Sequence, residues 1–162
     1  MQKVMVIGCP GSGKSTFSRA LSQITGLPLT HLDMLYWNAD NTSVERSVFL
    51  DRLSAVLQKD AWIIDGNYGS TMELRMQACD TVIFLDYPAD ICLQGVKDRQ
   101  GKPRPDMPWV ETEEDTEFLE YIQNFYKENR PQVLGLLQKY SHKTIYVFHN
   151  HREAHMFLAN CK

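Results

Sequence analysis

Near its start the chain reads Gly8-Cys9-Pro10-Gly11-Ser12-Gly13-Lys14-Ser15-Thr16, directly after the apolar run Val4–Ile7. The stretch fits the pattern G-x-x-x-x-G-K-[ST], which calls for a strand before it and a helix after it. Its glycines allow backbone angles that other residues avoid, so successive N–H groups can turn inward on one point. A helix beginning at Lys14 adds its own unpaired donors and about half a positive charge. Such a ring of donors cradles phosphate oxygens. Lys14 is placed to reach the β and γ phosphates of a nucleotide such as ATP, and the Ser15 hydroxyl to ligate Mg2+. Pro10 has no N–H to offer and belongs where none is needed.

Beyond this turn, short apolar runs alternate with helical patterns, which reads as βαβ units around a parallel sheet. Strands are expected at Val4–Ile7, Leu29–His31, Trp62–Asp65, Thr81–Leu85 and Thr144–Phe148. Nearly unbroken apolar character in the first, fourth and fifth predicts burial on both faces. Helices are expected at Lys14–Ile24, ending before Gly26, and at Ser43–Gln58, with Ser43 as N-cap and Val44, Leu50, Leu53 and Leu57 inward. Further helices are expected at Thr71–Ala78, Ala89–Arg99, Thr116–Tyr140 (kinked or split by Pro131) and His151–Leu158. Residues 100–110 hold three prolines and a glycine and read as a functional loop. The expected fold is therefore α/β, a three-layer P-loop NTPase fold. It has a five-stranded parallel sheet, helices on both faces, a lid near 100–112 and one domain over 1–162.

Composition narrows the function classes. With 43% hydrophobic and 23% charged residues in 162, disorder, collagen-like repeats and coiled coils are excluded. A net charge of −3 argues against a chain whose main task is gripping nucleic acid. Cys9, Cys79, Cys92 and Cys161 show no CxxC spacing and read as free thiols of a reducing compartment. No apolar run reaches the ~20 residues of a membrane span. Met1–Gly8 runs straight into the glycine turn and leaves no room for a signal peptide. A cytoplasmic protein, monomer or homodimer, is expected. His149, His151 and His155 lack acidic or cysteine partners nearby and read as surface histidines. The acids between Glu111 and Glu120 suit a helix's first turn.

The order of P-loop, Asp33, Asp65-Gly66 and Leu85-Asp86-Tyr87-Pro88, followed by a lid, resembles the adenylate kinase/shikimate kinase group. Three stretches, His31–Trp37, Trp62–Tyr68 and Val82–Asp86, also resemble the bacterial family labelled "DNA topology modulation protein". The resemblance implies ATP- and Mg2+-dependent phosphoryl transfer to a small-molecule acceptor. In it, Asp33 and Asp65 hold the metal or the acceptor hydroxyl, and Arg99 and Arg130 neutralise transferring charge. The loop around Asn150 backs the adenine. The alternative is a nucleotide-binding regulator acting on DNA topology, with little or no turnover. Adenylate kinases carry an arginine soon after their Asp-Gly turn, where this chain has Asn67-Tyr68-Gly69. Their adenine-stacking arginine corresponds to Gly95. Met34, Leu35, Tyr36 and Trp37 instead suit an apolar or aromatic acceptor pocket, with Arg75 or Arg46 meeting an anion; packing in the core accounts for them equally well.

Overall fold

Val-, Ile- and Phe-rich runs separated by helices cannot form hairpins, so they pair side by side in one direction. The computed structural model describes residues 1–99, 106, 108, 120 and 122–161. Its strands are β1 (Lys3–Gly8), β2 (Leu29–His31), β3 (Trp62–Asp65), β4 (Thr81–Leu85) and β5 (Thr144–Phe148). They form one parallel sheet in the order β2-β3-β1-β4-β5, with helices on both faces. Lys3 pairs with Trp62 on one side of β1, and Gly8 with Leu85 on the other. The strand order reverses beside β1, where open α/β sheets bind ligands at their carboxyl ends.

Burial follows position in the sheet. Val4–Ile7, Trp62–Ile64 and Val82–Leu85 are all essentially inaccessible and form the core. β5 does not share their double burial: Thr144 and Tyr146 are exposed while Ile145 and Val147 are half-buried. It is the edge strand, so its apolar run covers one face only. β3, whose apolar run is shorter, is buried throughout because β1 and β2 flank it.

The helices are α1 (Lys14–Thr25), α2 (Leu32–Tyr36), α3 (Arg46–Leu57), α4 (Gly69–Ala78), α5 (Ala89–Arg99), α6 (Arg130–Lys139) and α7 (His151–Asn160). α1 stops at Gly26, left-handed at φ 76°, and packs Phe17 against Phe157 of α7. α3 begins three residues after the expected Ser43 cap. There the Asp40 side chain accepts from the Thr42 N–H and Asn38 N donates to the Thr42 carbonyl, so a local turn outcompetes the helix. The buried face of α3 is Phe49, Leu53 and Val56; of the expected stripe Leu53 is fully buried, while Val44, Leu50 and Leu57 are half-buried. The short α2 had no sequence signal of its own. The front of the expected Thr116–Tyr140 helix lies outside the described residues. Its later part widens into a π-turn at Phe125–Asn129, just before Pro131 in the first turn of α6. A proline cannot donate to the fourth residue before it, and the turn resets the ladder ahead of it.

α5 crosses the phosphate-loop turn at backbone contact. A Cβ on Gly95 would stand 2.1 Å from the Gly11 carbonyl oxygen, and one on Gly11 2.0 Å from that of Cys92. Gly95, which replaces a stacking arginine in the resemblance, is thus a packing requirement. Gly135 in α6 meets nothing within 4 Å. In denaturant melts, Gly95→Ala should lose about 1–3 kcal/mol through overpacking. Gly135→Ala should gain about 0.5–1 kcal/mol from helix propensity. Equal effects of the two would contradict the crossing.

Candidate active site

The turn after β1 takes the geometry its sequence demands. Gly11 and Gly13 are left-handed at φ 85° and 90°, Ser12 N donates to the Cys9 carbonyl at 3.0 Å, and Phe17 N to the Gly13 carbonyl at 2.9 Å. Lys14 folds back over the loop, its Nζ 3.3 Å from the Cys9 carbonyl oxygen, and is half-buried. The Ser12 hydroxyl is buried at 1% exposure, its oxygen without a protein partner. A buried unpaired hydroxyl is costly. An anion seated in the loop would relieve it. Arg19 donates to the Ser15 and Thr16 hydroxyls. Pro10 lies half-buried at the bend.

The two carboxylates expected from sequence come from the ends of the neighbouring strands β2 and β3. Asp65 closes β3, and Asp33 lies in α2 directly after β2. Asp65 Oδ2 is 2.8 Å from His31 Nδ1. Burial alone would lower the His31 pKa. The Asp65 hydrogen bond and charge, with Asp106 adding to them, outweigh it and raise that pKa above the ordinary imidazole value. Asp33 accepts from the Tyr68 hydroxyl, and the Trp37 indole N–H donates to Tyr68 in turn. Burial first, then the Asp33 charge, keeps the Tyr68 phenol protonated far above its usual range. Tyr36, Trp37, Phe49 and Tyr68 form one aromatic cluster with centroids 5.0–5.4 Å apart. Three of its rings are only half-buried. Met34 points out, 44% exposed.

The connection from Asp65 to α4 is tied down from within. Arg75, fully inaccessible, donates to the carbonyls of Gly66 (3.0 Å), Asn67 and Tyr68 (3.2 Å). Burial pulls its pKa down to about 9 against the raising effects of Cys79, Asp65 and Tyr68, and the carbonyls give its buried N–H groups partners. They also hold Tyr68 at φ 34°, a left-handed conformation that an aromatic residue rarely adopts. Arg75 is therefore structural rather than an anion contact. Arg46 is exposed and donates to the Ser70 hydroxyl at 3.1 Å. Asn67 bridges the two halves of the site: its Oδ1 accepts from Gly8 N at 3.2 Å.

On the β4 side, Arg130 makes a two-pronged contact with Asp86 at 2.9 and 2.8 Å, one residue beyond the Leu85 that pairs with Gly8. Asn150 serves as the N-cap of α7: its side chain accepts from Glu153 N, while Glu153 accepts from His149 N. That side chain is committed to the cap. The His151 ring packs edge-on against Tyr87, with Cε1 within 3.8 Å of where a Cβ on Gly13 would stand. It is exposed, as expected of a surface histidine, and also borders the phosphate loop. Among the described residues no cluster of three metal-ligating His, Cys, Asp or Glu side chains exists. The Arg99 side chain and nearly all of the expected lid lie outside the described residues. Tyr68, Asn67, Arg75 and His151 were not singled out for these roles from sequence. The Asp-Gly-Asn-Tyr run itself was the available signal for the first two.

No family model matches the chain, and no curated protein matches it. Solved structures do. It is similar to the shikimate kinase of Bacteroides thetaiotaomicron, at 17% identity and TM-score 0.61 over 96% of this chain and 93% of that one. The Acinetobacter baumannii shikimate kinase in complex with shikimate aligns at 15% and 0.65, over 98% and 89%. That of Aquifex aeolicus aligns at 19% and 0.59, over 96% and 90%. The chain has the P-loop kinase fold. The more specific likeness to the topology modulation group gains no support from these comparisons. No helix among the described residues is long and apolar enough to cross a membrane.

A raised folded-state pKa for His31 makes a pH prediction with a definite sign. Its stabilisation is complete below the unfolded imidazole pKa and is lost as pH rises through the folded value. The stability gap between parent and His31→Gln should be larger at pH 5 than at pH 8 in urea melts. A gap independent of pH, or larger at pH 8, would contradict the His31–Asp65 pairing.

Proposed function

We propose that the chain catalyses Mg2+- and ATP-dependent phosphoryl transfer to a small acceptor bearing a hydroxyl group. The observation that carries this reading is the loop: two left-handed glycines, a buried Ser12 hydroxyl without a protein partner, and Lys14 folded back over the turn. The main-chain amides of Gly11, Gly13, Lys14, Ser15 and Thr16, with Lys14 Nζ, would hold the phosphates, while Gly8, Cys9 and Ser12 shape the turn, the Gly8 and Ser12 N–H groups being given to Asn67 Oδ1 and the Cys9 carbonyl. Pro10 shapes the bend, and the main chain at Asn150 borders the base. Ser15, Asp33 and Asp65 are an all-oxygen donor set of the kind Mg2+ takes, and the ion would supply charge neutralisation on the phosphates.

Asp33 is the candidate proton acceptor for the incoming hydroxyl, and Tyr68 orients its carboxylate. Arg99 and Arg130 are the candidate cations for transferring charge. Arg130 is already oriented by Asp86. The likeness in fold to three shikimate kinases supports a small-molecule kinase.

Calorimetric titration of ATP tests the phosphate half. Lys14→Ala should weaken ATP binding by about 10–100-fold, the worth of a charge-assisted contact. Unchanged affinity would contradict the assignment. A screen of ATP consumption over hydroxyl acceptors, shikimate among them, tests the rest. Acceptor-dependent turnover should vanish in Asp33→Asn. Turnover unaffected by that substitution would remove Asp33 from the chemistry.

A further inference from the structure

Arg19 is a cation that the proposed chemistry does not use, although it touches two residues that chemistry needs. It lies in the second turn of α1, four positions after Ser15 and three after Thr16, so helical geometry brings the three to one face. Its Nη1 donates to the Ser15 hydroxyl at 2.5 Å and its Nη2 to the Thr16 hydroxyl at 3.4 Å. The fork thus spans both hydroxyls that follow Lys14. Ser15 and Arg19 are half-buried and Thr16 is exposed, so the contact lies where solvent reaches it. Arg130, by contrast, is fixed by a two-pronged carboxylate contact, a firmer hold than neutral hydroxyls give. The Arg19 charge also acts on His31, so its field reaches the His31–Asp65 pair.

From this geometry we infer that Arg19 gates the metal position of the site. It holds the Ser15 hydroxyl while no nucleotide is present, and releases it when a phosphate chain offers the guanidinium a better partner. The inference rests on the phosphoryl-transfer reading, in which Ser15 is a ligand for Mg2+.

The gate works by exclusion. A guanidinium and a divalent cation are drawn to the lone pairs of the same hydroxyl oxygen. Like charges on one small oxygen repel strongly, because little solvent lies between them. With Arg19 donating to Ser15, an ion must displace the guanidinium or do without that ligand, and either course weakens its binding. A nucleotide changes the balance. Arginine can donate two parallel N–H groups to phosphate oxygens, a charge-assisted contact roughly twice as strong as one between neutral groups. The Thr16 amide belongs to the proposed phosphate cradle, and Arg19 already touches the hydroxyl of that residue. Turning the fork from the hydroxyls to the phosphate frees Ser15. Nucleotide and metal therefore help each other to bind, and the coupling is reciprocal.

Binding of Mn2+, a spectroscopic stand-in for Mg2+, to nucleotide-free full-length protein reads the gate. Electron paramagnetic resonance should show Arg19→Gln holding Mn2+ at least about tenfold more tightly than the parent, the effect of removing one adjacent charge. Arg19→Lys keeps the charge and should stay within about threefold of the parent. Both substitutes are good helix formers, so α1 is retained. Adding Ser15→Ala to Arg19→Gln should abolish the gain, which places the ion at that hydroxyl. ADP titrated by calorimetry without metal should bind Arg19→Gln about 5–20-fold more weakly than the parent, through loss of the guanidinium contact. Equal Mn2+ affinity in parent and Arg19→Gln, whether measurable or nil, overturns the gate. So does a gain that Arg19→Lys shares, which would trace to bulk and not to charge. Unchanged ADP affinity in Arg19→Gln overturns the transfer of the guanidinium to phosphate. If the parent binds no ADP, the nucleotide reading fails, while the Mn2+ comparison still decides whether Arg19 keeps a cation from Ser15.

Discussion

Where α5 crosses the phosphate loop, main chain rests on main chain, and the shape of the site follows from that crossing. A loop of inward-facing N–H groups is under strain, because its donors repel one another and its glycines sample many other conformations. The Gly11–Gly95 contact removes the space into which such a loop would relax. β1 anchors its entry through full burial, and α1 anchors its exit through the Phe17 N–H bond to Gly13. Only a residue without a side chain fits at Gly95, which is why a recognition arginine at this position is incompatible with this packing.

A second constraint organises the opposite wall. Arg75 is a buried cation that donates to three carbonyl oxygens and the Thr71 hydroxyl. Its contacts fix the chain from Gly66 to Tyr68, and Tyr68 then delivers its hydroxyl to Asp33. Through Asn67 and Gly8 the same segment is joined to the phosphate loop. The two halves of the site are therefore coupled by hydrogen bonds through one short connection, and the positioning of Asp33 depends on a side chain that never reaches solvent.

The sequence made the sheet legible because apolar run lengths and turn residues act locally. Four of the five strands have the expected bounds, and β1 extends one residue further at each end. The P-loop was legible for the same reason, since its pattern encodes backbone angles directly. What escaped was set by tertiary context. Ser43 looked like a cap, but the Asp40–Thr42 turn claimed the residues before α3. Arg75 looked like a ligand for an anion, and only the fold shows it facing the carbonyls of its own loop. His151 joined the site because β5 lies next to β4, a neighbour relation that composition does not carry.

The central claim is that this loop, as it stands, is shaped for a phosphate chain. A crystal structure with a non-hydrolysable ATP analogue and Mg2+ tests it most directly. The account predicts the β-phosphate on the amides between Gly11 and Ser15, with Gly11 and Gly13 still left-handed and the loop backbone displaced by less than about 1 Å. Phosphates bound elsewhere, or a loop that must refold to accept them, would contradict it.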